Sequence, residues 1–116
     1  MDTTQLEDIR DIWMAAFFSG DYAVLEQYEH TEFKVVHEQE GRVEANFTRY
    51  DLIAHAVQNG IWKPQKPDVE SESFEFDATN NSCKVLIILG SLRKIREIWH
   101  FTEQGWQITE LRFLKD

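Results

Sequence analysis

The stretch from Cys83 to Leu114 constrains the fold more than any other part of the chain. It contains three apolar runs, KVLIILG, IREIWHF and WQITELRFL, separated by short polar segments. Runs of this length, rich in β-branched and aromatic residues, predict three consecutive antiparallel strands. Such a sheet needs an apolar layer against at least one face. We therefore expect the rest of the chain to fold over one face of this sheet.

The turn between the last two runs sets the predicted strand register. A two-residue hairpin loop favours residues that tolerate φ > 0, and the glycine of Gln104-Gly105 fits its second position. Because side chains alternate between the two faces, this loop predicts which residues share one face. They are the pairs Phe101–Ile108, Trp99–Glu110, Glu97–Arg112 and Ile95–Leu114. The opposite face would carry Arg96, Ile98, His100, Thr109, Leu111 and Phe113.

Length and composition predict one folded domain spanning residues 1–116. A hydrophobic content of 42% suits a globular chain. No apolar run approaches the ~20 residues of a membrane span. The acidic start, MDTTQLEDIRD, resembles neither a signal peptide nor a transit peptide, and the single Cys83 excludes an intrachain disulfide. We therefore expect a cytoplasmic protein with no membrane partner.

Charge also limits the partners that the sequence predicts. The formal net charge is −9, and phosphate recognition needs a clustered basic surface. The one basic cluster, Arg93, Lys94 and Arg96, lies at a predicted turn and strand start, where solvated surface is the ordinary interpretation. The sequence therefore predicts no nucleic-acid partner.

Helical patterns dominate the first half of the chain. Thr3 or Thr4 could cap a first helix that ends at Ser19-Gly20, and Asp21 could cap a short second helix. A capping box at Thr48-x-x-Asp51 predicts a third helix, ended by Asn59-Gly60. The expected apolar faces are Leu6, Ile9, Trp13, Ala16 and Phe17, then Val24, Leu25 and Tyr28, then Leu52, Ile53, Ala56 and Val57. Further strands are predicted at Phe33–Gln39, in RVEANF and at Val69–Asp77, with a proline-bearing irregular segment, IWKPQKP, between the last two.

The predicted order, α-α-β-β-α-β-β-β-β, resembles that of the nuclear transport factor 2-like superfamily. Three segments carry the resemblance: AAFFSGDYAVLEQY at the junction of the first two helices, FTRYDLIAHA at the third helix, and REIWHFTEQGWQITELRF as the terminal hairpin. The superfamily includes ketosteroid isomerases and SnoaL-like polyketide cyclases. The resemblance implies an α+β, cystatin-like fold, in which a curved antiparallel sheet packs against three helices to form a cone with a pocket.

The same resemblance implies a site. Trp99 would look into the cone, and Glu97, Phe101, Glu110 and Arg112 would line it. Trp13 and Trp99, brought together by the fold, would suit a flat apolar or aromatic ligand. Trp62 would cover the mouth of the cone or contact a second subunit. The other face of the sheet would form a homodimer interface.

Two residues are candidates for proton transfer. Histidine is the side chain whose ordinary pKa lies nearest to neutral pH, and His37 shares the more apolar side of its strand with Phe33 and Val35. A hydrogen-bonded histidine without chemistry is the alternative. Arg112 lies between Glu97 and Glu110 in the predicted register, so one carboxylate is under-compensated and its pKa would rise. The alternative is a salt-bridge ladder that fixes the register.

Other chemistries find little support in the sequence. The tyrosine and aspartate donors of ketosteroid isomerases fall on Trp13 and Trp99 here, and the base falls near Val36 or His37. His37 and Glu38 point to opposite faces of a strand, and the five glycines are scattered singly, so we expect no metal and no cofactor. Cys83 has no evident activating neighbour.

The sequence favours a protein that binds a small molecule in a mostly apolar pocket. One alternative is a SnoaL-like, isomerase-type or dehydratase-type enzyme that uses His37 or Glu110 for proton transfer. Another is a protein-interaction module that uses the sheet face.

Overall fold

The computed structural model describes residues 4–63 and 68–115. Its helices are α1 (Thr4–Ser19), α2 (Tyr22–Tyr28) and α3 (Asn46–Gln58). Its strands are β1 (Glu29–His37), β2 (Arg42–Ala45), β3 (Val69–Phe76), β4 (Ser82–Leu89), β5 (Lys94–Thr102) and β6 (Gly105–Phe113). This order confirms the predicted sequence of elements and the α+β class.

The six described strands form one open sheet in the order β2-β1-β6-β5-β4-β3. Strands β3 to β6 form an antiparallel meander, and β1 joins β6 in parallel. The helices cover one face of this sheet, which we term the inner face; the other is the outer face. None of the described helices combines the length and apolar character needed to cross a bilayer.

Helix α1 presents the predicted apolar stripe to the sheet. Leu6, Trp13 and Ala16 are buried, and Ile9 and Phe17 pack partly buried against the same core. The helix ends at Gly20, whose φ of +76° is the left-handed conformation that ends many helices.

The predicted cap of the second helix is also confirmed. The side chain of Asp21 accepts a hydrogen bond from the backbone N–H of Val24 at 3.3 Å, and Leu25 in α2 is fully buried. Asp21 therefore caps the first turn of α2.

Several predicted boundaries were wrong. Strand β1 spans Glu29–His37 instead of Phe33–Gln39, and Glu29 already pairs with Ile108 of β6. Strand β2 ends at Ala45, because the last two residues of the predicted strand RVEANF belong to α3. Helix α3 begins at Asn46, so Thr48 lies inside the helix and not at its N-cap position. Ala45, at the N-cap position, provides no side-chain hydrogen bond. Residue Thr3 and the prolines of the irregular segment, Pro64 and Pro67, lie outside the described residues.

The apolar face predicted for α3 was too wide. Ile53 is buried, but Leu52 and Val57 are 61% and 42% exposed. The helix instead buries Arg49 and Tyr50 beside Ile53. A pattern of apolar residues alone misses this face because part of it is polar.

The predicted register of the last hairpin was wrong. Thr102 pairs with Gly105, so Glu103 and Gln104 form the loop, and Trp99 pairs with Ile108. One residue earlier in β5, Ile98 pairs with Glu110, which leaves Thr109 as the extra residue of a β-bulge. The Thr109 hydroxyl lies 3.3 Å from the carbonyl oxygen of Ile98, to which it donates.

The bulge exchanges the two faces of β6 from Glu110 onward. Side chains alternate along a strand, so one inserted residue moves every later side chain to the other face. Glu110 and Arg112 therefore lie on the outer face, whereas Leu111 and Phe113 lie on the inner face. The pairing agrees, because Leu111 stands opposite the buried Glu97.

Candidate functional site

A cavity of about 390 Å³ lies between the C-terminal half of α1 and the inner face of the sheet. We call it the chamber. Among the described residues, its walls are apolar except for Arg49 and Glu97. The lining residues are Trp13, Met14, Phe17 and Phe18 from α1, Arg49 from α3, and Val69, Ile87, Leu89, Ile95, Glu97, Leu111 and Phe113 from the sheet.

Glu97 is neutralised by a buried network. Arg10 of α1 donates Nε to Glu97 Oε1 at 2.7 Å and Nη2 to Oε2 at 3.1 Å. Arg10 Nη2 also reaches Glu72 at 2.6 Å, and the indole N–H of Trp99 donates to Glu97 Oε1 at 2.7 Å. Burial acts to lower the pKa of Arg10, but the hydrogen bonds and charges of Glu97 and Glu72 outweigh it and raise that pKa. Arg10 therefore keeps its positive charge beside Glu97.

Arg49 is held by a second buried carboxylate, Glu29 at the start of β1. Glu29 accepts hydrogen bonds from Trp13 Nε1 at 2.8 Å, Arg49 Nη1 at 3.0 Å and the Tyr50 hydroxyl at 2.6 Å. Burial, followed by the hydrogen bond and charge of Glu29, raises the pKa of Tyr50. This network ties α1, α3 and β1 together at one side of the chamber.

Three of the predicted pocket residues meet at the chamber. Trp13 and Glu97 line it, and the fully buried Trp99 packs edge-on against Trp13, with ring centroids 5.7 Å apart. Phe101 lies elsewhere: it is 46% exposed and packs against Trp106. Phe101, which was predicted to line the pocket, therefore lies away from the chamber.

Glu110 and Arg112 are also separated from the chamber, because the bulge places both on the outer face. Arg112 donates Nη2 to Glu110 at 2.6 Å and Nη1 to Glu38 at 2.9 Å. Arg96 Nη2 lies 3.7 Å from the other Glu110 oxygen. The hydrogen bonds that Arg112 donates to Glu110 and Glu38 raise the pKa of Arg112. These alternating charges form a row on the outer face, and Glu97, which the predicted ladder also included, lies on the inner face.

His37 lies at a second depression, of about 410 Å³, which we call the mouth. Its ring stacks on Phe113 at 4.9 Å, and its Nε2 is 3.1 Å from Glu44. The mouth is lined by His37, Glu38, Gln39, Glu40, Leu89, Arg93, Lys94, Ile95, Phe113 and Leu114. His37 is thus near the chamber, but Phe113 stands between them as a shared wall. The catalytic roles of His37 and Glu110 stay predictions.

Trp62 is anchored to α1. Its indole N–H donates to the carbonyl oxygen of Phe17 at 2.8 Å, and its ring packs edge-on against Phe17 at 5.3 Å. Since Phe17 lines the chamber, Trp62 supports one of its walls.

The sequence reasoning missed four residues that hold the site: Arg10, Glu29, Arg49 and Tyr50. One signal was present in α1, where Arg10 follows Leu6 by four positions and precedes Trp13 by three. An arginine at that spacing lies within the apolar stripe, and it is buried only with a partner. No comparable signal in the sequence identifies Glu29. Within residues 4–63 and 68–115, no three histidine, cysteine or acidic side chains converge as metal ligands would.

Comparisons with known proteins identify the fold. No protein-family model matches the sequence, and no curated protein matches it significantly. Among solved structures, an NTF2-like protein from Cytophaga hutchinsonii is similar, with a TM-score of 0.74, 11% identity and 97% of each chain covered. The association domain of CaMKII from C. elegans gives a TM-score of 0.73 and 8% identity, covering 97% of this chain and 95% of that one.

A protein of cystatin-like fold from Nostoc punctiforme is also similar, with a TM-score of 0.65 and 3% identity, over 97% of this chain and 89% of the other. The chain therefore has the nuclear transport factor 2-like fold, a form of the cystatin-like fold. This result confirms the resemblance read from the sequence.

Proposed function

We propose that the protein binds a small, largely apolar molecule in the chamber. The supporting observation is the combination of an apolar cavity of about 390 Å³ with two charged wall residues that are already paired. Ligand sites are commonly clefts of about 300–1,000 Å³ with apolar walls and few polar groups. An apolar occupant would remove this surface from water without leaving Arg49 or Glu97 unpaired.

Ligand-induced stabilisation and a blocked chamber test this proposal together. An apolar probe such as dodecanol or 1-naphthol should raise the melting temperature of the wild type, because a ligand that binds only the folded state stabilises it. Leu111→Trp places an indole in the chamber and should abolish the increase, and Met14→Trp repeats the test from the α1 side. Leu52→Trp, on the exposed surface of α3, is the matched control. Equal stabilisation of all these proteins would refute the proposal.

The binding proposal accounts for the geometry better than proton transfer does. Glu110 lies on the outer face, where Arg112 holds it, and His37 is paired with Glu44 at the mouth. Glu110 is thus on the other side of the sheet from the chamber, and the ring of Phe113 stands between His37 and the chamber interior. His37→Ala should therefore leave the dodecanol response unchanged.

Self-association through the outer face is a second candidate function. Leu86, Ile88 and Ile98 are only partly covered there, and Arg96 Nε is buried without a hydrogen-bond partner in the described part of the chain. Glu38, Arg112, Glu110 and Arg96 form a row of alternating charges on this face. In a second copy related by a two-fold axis the row runs in the opposite direction, so Glu38 of one copy would face Arg96 of the other. The CaMKII domain that is similar to this chain is named an association domain, which supports the idea that this fold can mediate assembly.

The mass in solution tests self-association. Wild-type protein should sediment as a dimer, and Ile98→Glu should sediment as a monomer with unchanged secondary structure. Leu52→Glu introduces the same charge on α3, away from the sheet, and should remain dimeric. A monomeric wild type at micromolar concentration would dismiss this candidate.

A further inference from the structure

We propose that the ligand is an amphipathic anion whose apolar body fills the chamber and whose head group lies at Arg93 and Lys94 in the mouth. This inference rests on the proposed function and adds the chemical class of the ligand.

The chamber and the mouth adjoin one another. Leu89, Ile95 and Phe113 line both of them. These residues lie near the ends of β4 and β6 and the start of β5, at one end of the sheet. A molecule longer than the chamber would therefore emerge past these three side chains into the mouth.

Among residues 4–63 and 68–115, the interior of the chamber offers no uncommitted cation to a head group. The cationic wall residue Arg49 is bound to Glu29, and Arg10 behind the wall is bound to Glu97 and Glu72. An anion placed there would compete with carboxylates that are already buried and hydrogen-bonded, which is costly. A charged head group is therefore favoured outside the chamber.

The mouth has the opposite character. Its carboxylates are engaged: Glu38 accepts from Arg112 and from the backbone N–H of Lys115, and Glu40 pairs with Arg42. Arg93 and Lys94 are exposed, and no salt bridge joins either of them to a carboxylate among residues 4–63 and 68–115. Although the chain carries a net charge of −9, charges beyond about 8–10 Å are largely screened at physiological salt. Among the described residues that line the mouth, Arg93 and Lys94 are therefore the exposed cations without a carboxylate partner.

Two probes of equal chain length distinguish the contribution of the head group to the affinity from that of the tail. Dodecanoate carries a carboxylate and dodecanol does not, and both can be titrated calorimetrically against the wild type. Two exposed cations contribute modestly, so dodecanoate should bind roughly tenfold more tightly than dodecanol at low salt. That advantage should shrink at high salt because the head group is exposed.

Charge removal then locates the head group. Arg93→Ala/Lys94→Ala should remove the roughly tenfold preference and leave the affinity for dodecanol unchanged. Lys34→Ala/Lys84→Ala removes the same charge from exposed positions on the outer face and should keep the preference. Leu111→Trp should weaken both probes.

The outcomes distinguish this inference from the function on which it rests. If dodecanol binds as tightly as dodecanoate, or if the Arg93/Lys94 variant keeps the preference, the anionic class is refuted and the apolar site stands. If neither probe binds the wild type, both proposals fail.

Discussion

Trp99 and Arg112 point to opposite faces of the sheet, although a simple two-residue hairpin would place them on the same face. Trp99 packs against Trp13 under α1, and Arg112 binds Glu38 and Glu110 on the outer face. The cause is the bulged residue Thr109, which moves the later residues of β6, including Arg112, to the other face. A shift of one residue along β6 therefore decides which side chains face the chamber: Leu111 and Phe113, or Glu110 and Arg112.

Deletion of Thr109 should leave the two faces of β6 unchanged. Glu110 would then follow Ile108 directly, so the pairs Trp99–Ile108 and Ile98–Glu110 would close into a regular ladder with Glu110 still on the outer face. The variant should therefore fold, with a loss of about 1–3 kcal/mol from the altered local twist. Thr109→Ala keeps the bulge and loses only the hydroxyl bond to Ile98, so it should cost about 1 kcal/mol. Urea unfolding measures both, and a deletion variant that does not fold would contradict the assignment of Thr109 as the extra residue.

Much of the fold was readable because local and periodic signals agree with it. The stripe through Leu6, Trp13 and Ala16 and the cap at Asp21 each need only neighbouring residues to be recognised. The bulge left a trace as well: the apolar positions of β6 pass from Trp106 and Ile108 to Leu111 and Phe113, which shifts their alternation by one. We read the strand as one continuous alternation and so assigned Glu110 and Arg112 to the wrong face.

The buried ion pairs were not readable in the same way. Arg10 and Glu97 are 87 positions apart, and no local pattern joins them. Glu29 lies in a polar segment, EHTE, whose composition indicates surface. It is buried because β1 runs parallel to β6 and because three donors from two helices surround it.

Removing one partner of the Arg10–Glu97 pair should destabilise the fold strongly. Arg10→Met leaves the buried Glu97 with the indole of Trp99 as its remaining hydrogen-bond donor, and an uncompensated buried charge costs about 3–5 kcal/mol. In the double variant Arg10→Met/Glu97→Gln, the loss should be smaller than that of Arg10→Met alone. Denaturant unfolding of both variants gives the comparison. Arg42→Met breaks an exposed pair and should cost less than about 1 kcal/mol. Equal losses for Arg10→Met and Arg42→Met would contradict the buried network.

Tyr50 should make stability depend on alkaline pH. Its folded pKa is raised by burial and by Glu29, so the folded state holds the phenolic proton more tightly than the unfolded state does. This contribution is complete below the unfolded pKa of about 10 and is lost as the pH rises beyond it.

Tyr50→Phe should therefore cost about 1–3 kcal/mol near neutral pH, because Glu29 loses a donor, and should weaken the pH dependence above about pH 10. Tyr22→Phe, at an exposed tyrosine, is the control and should leave both unchanged. Urea unfolding at a series of pH values tests this, and parallel pH profiles for the wild type and Tyr50→Phe would exclude the assigned contact.

Alanine substitutions at Gly20 and Gly60 form a matched pair. They test how closely Val57 and Trp62 pack against the C-terminal end of α1. Both have positive φ, +76° and +67°, so alanine at either position carries a similar backbone cost of roughly 1–2 kcal/mol. A Cβ at Gly20 would lie 2.5 Å from Val57 Cγ2 and 2.9 Å from Trp62 Cδ1, whereas nothing lies within 4 Å of one at Gly60. Gly20→Ala should therefore be the more destabilising by a further ~1–3 kcal/mol of overpacking. It should also disturb the chamber, because Trp62 is bonded to Phe17. Denaturant unfolding and dodecanol binding of both variants provide the measurement, and equal losses of stability would show that Val57 and Trp62 do not pack on Gly20.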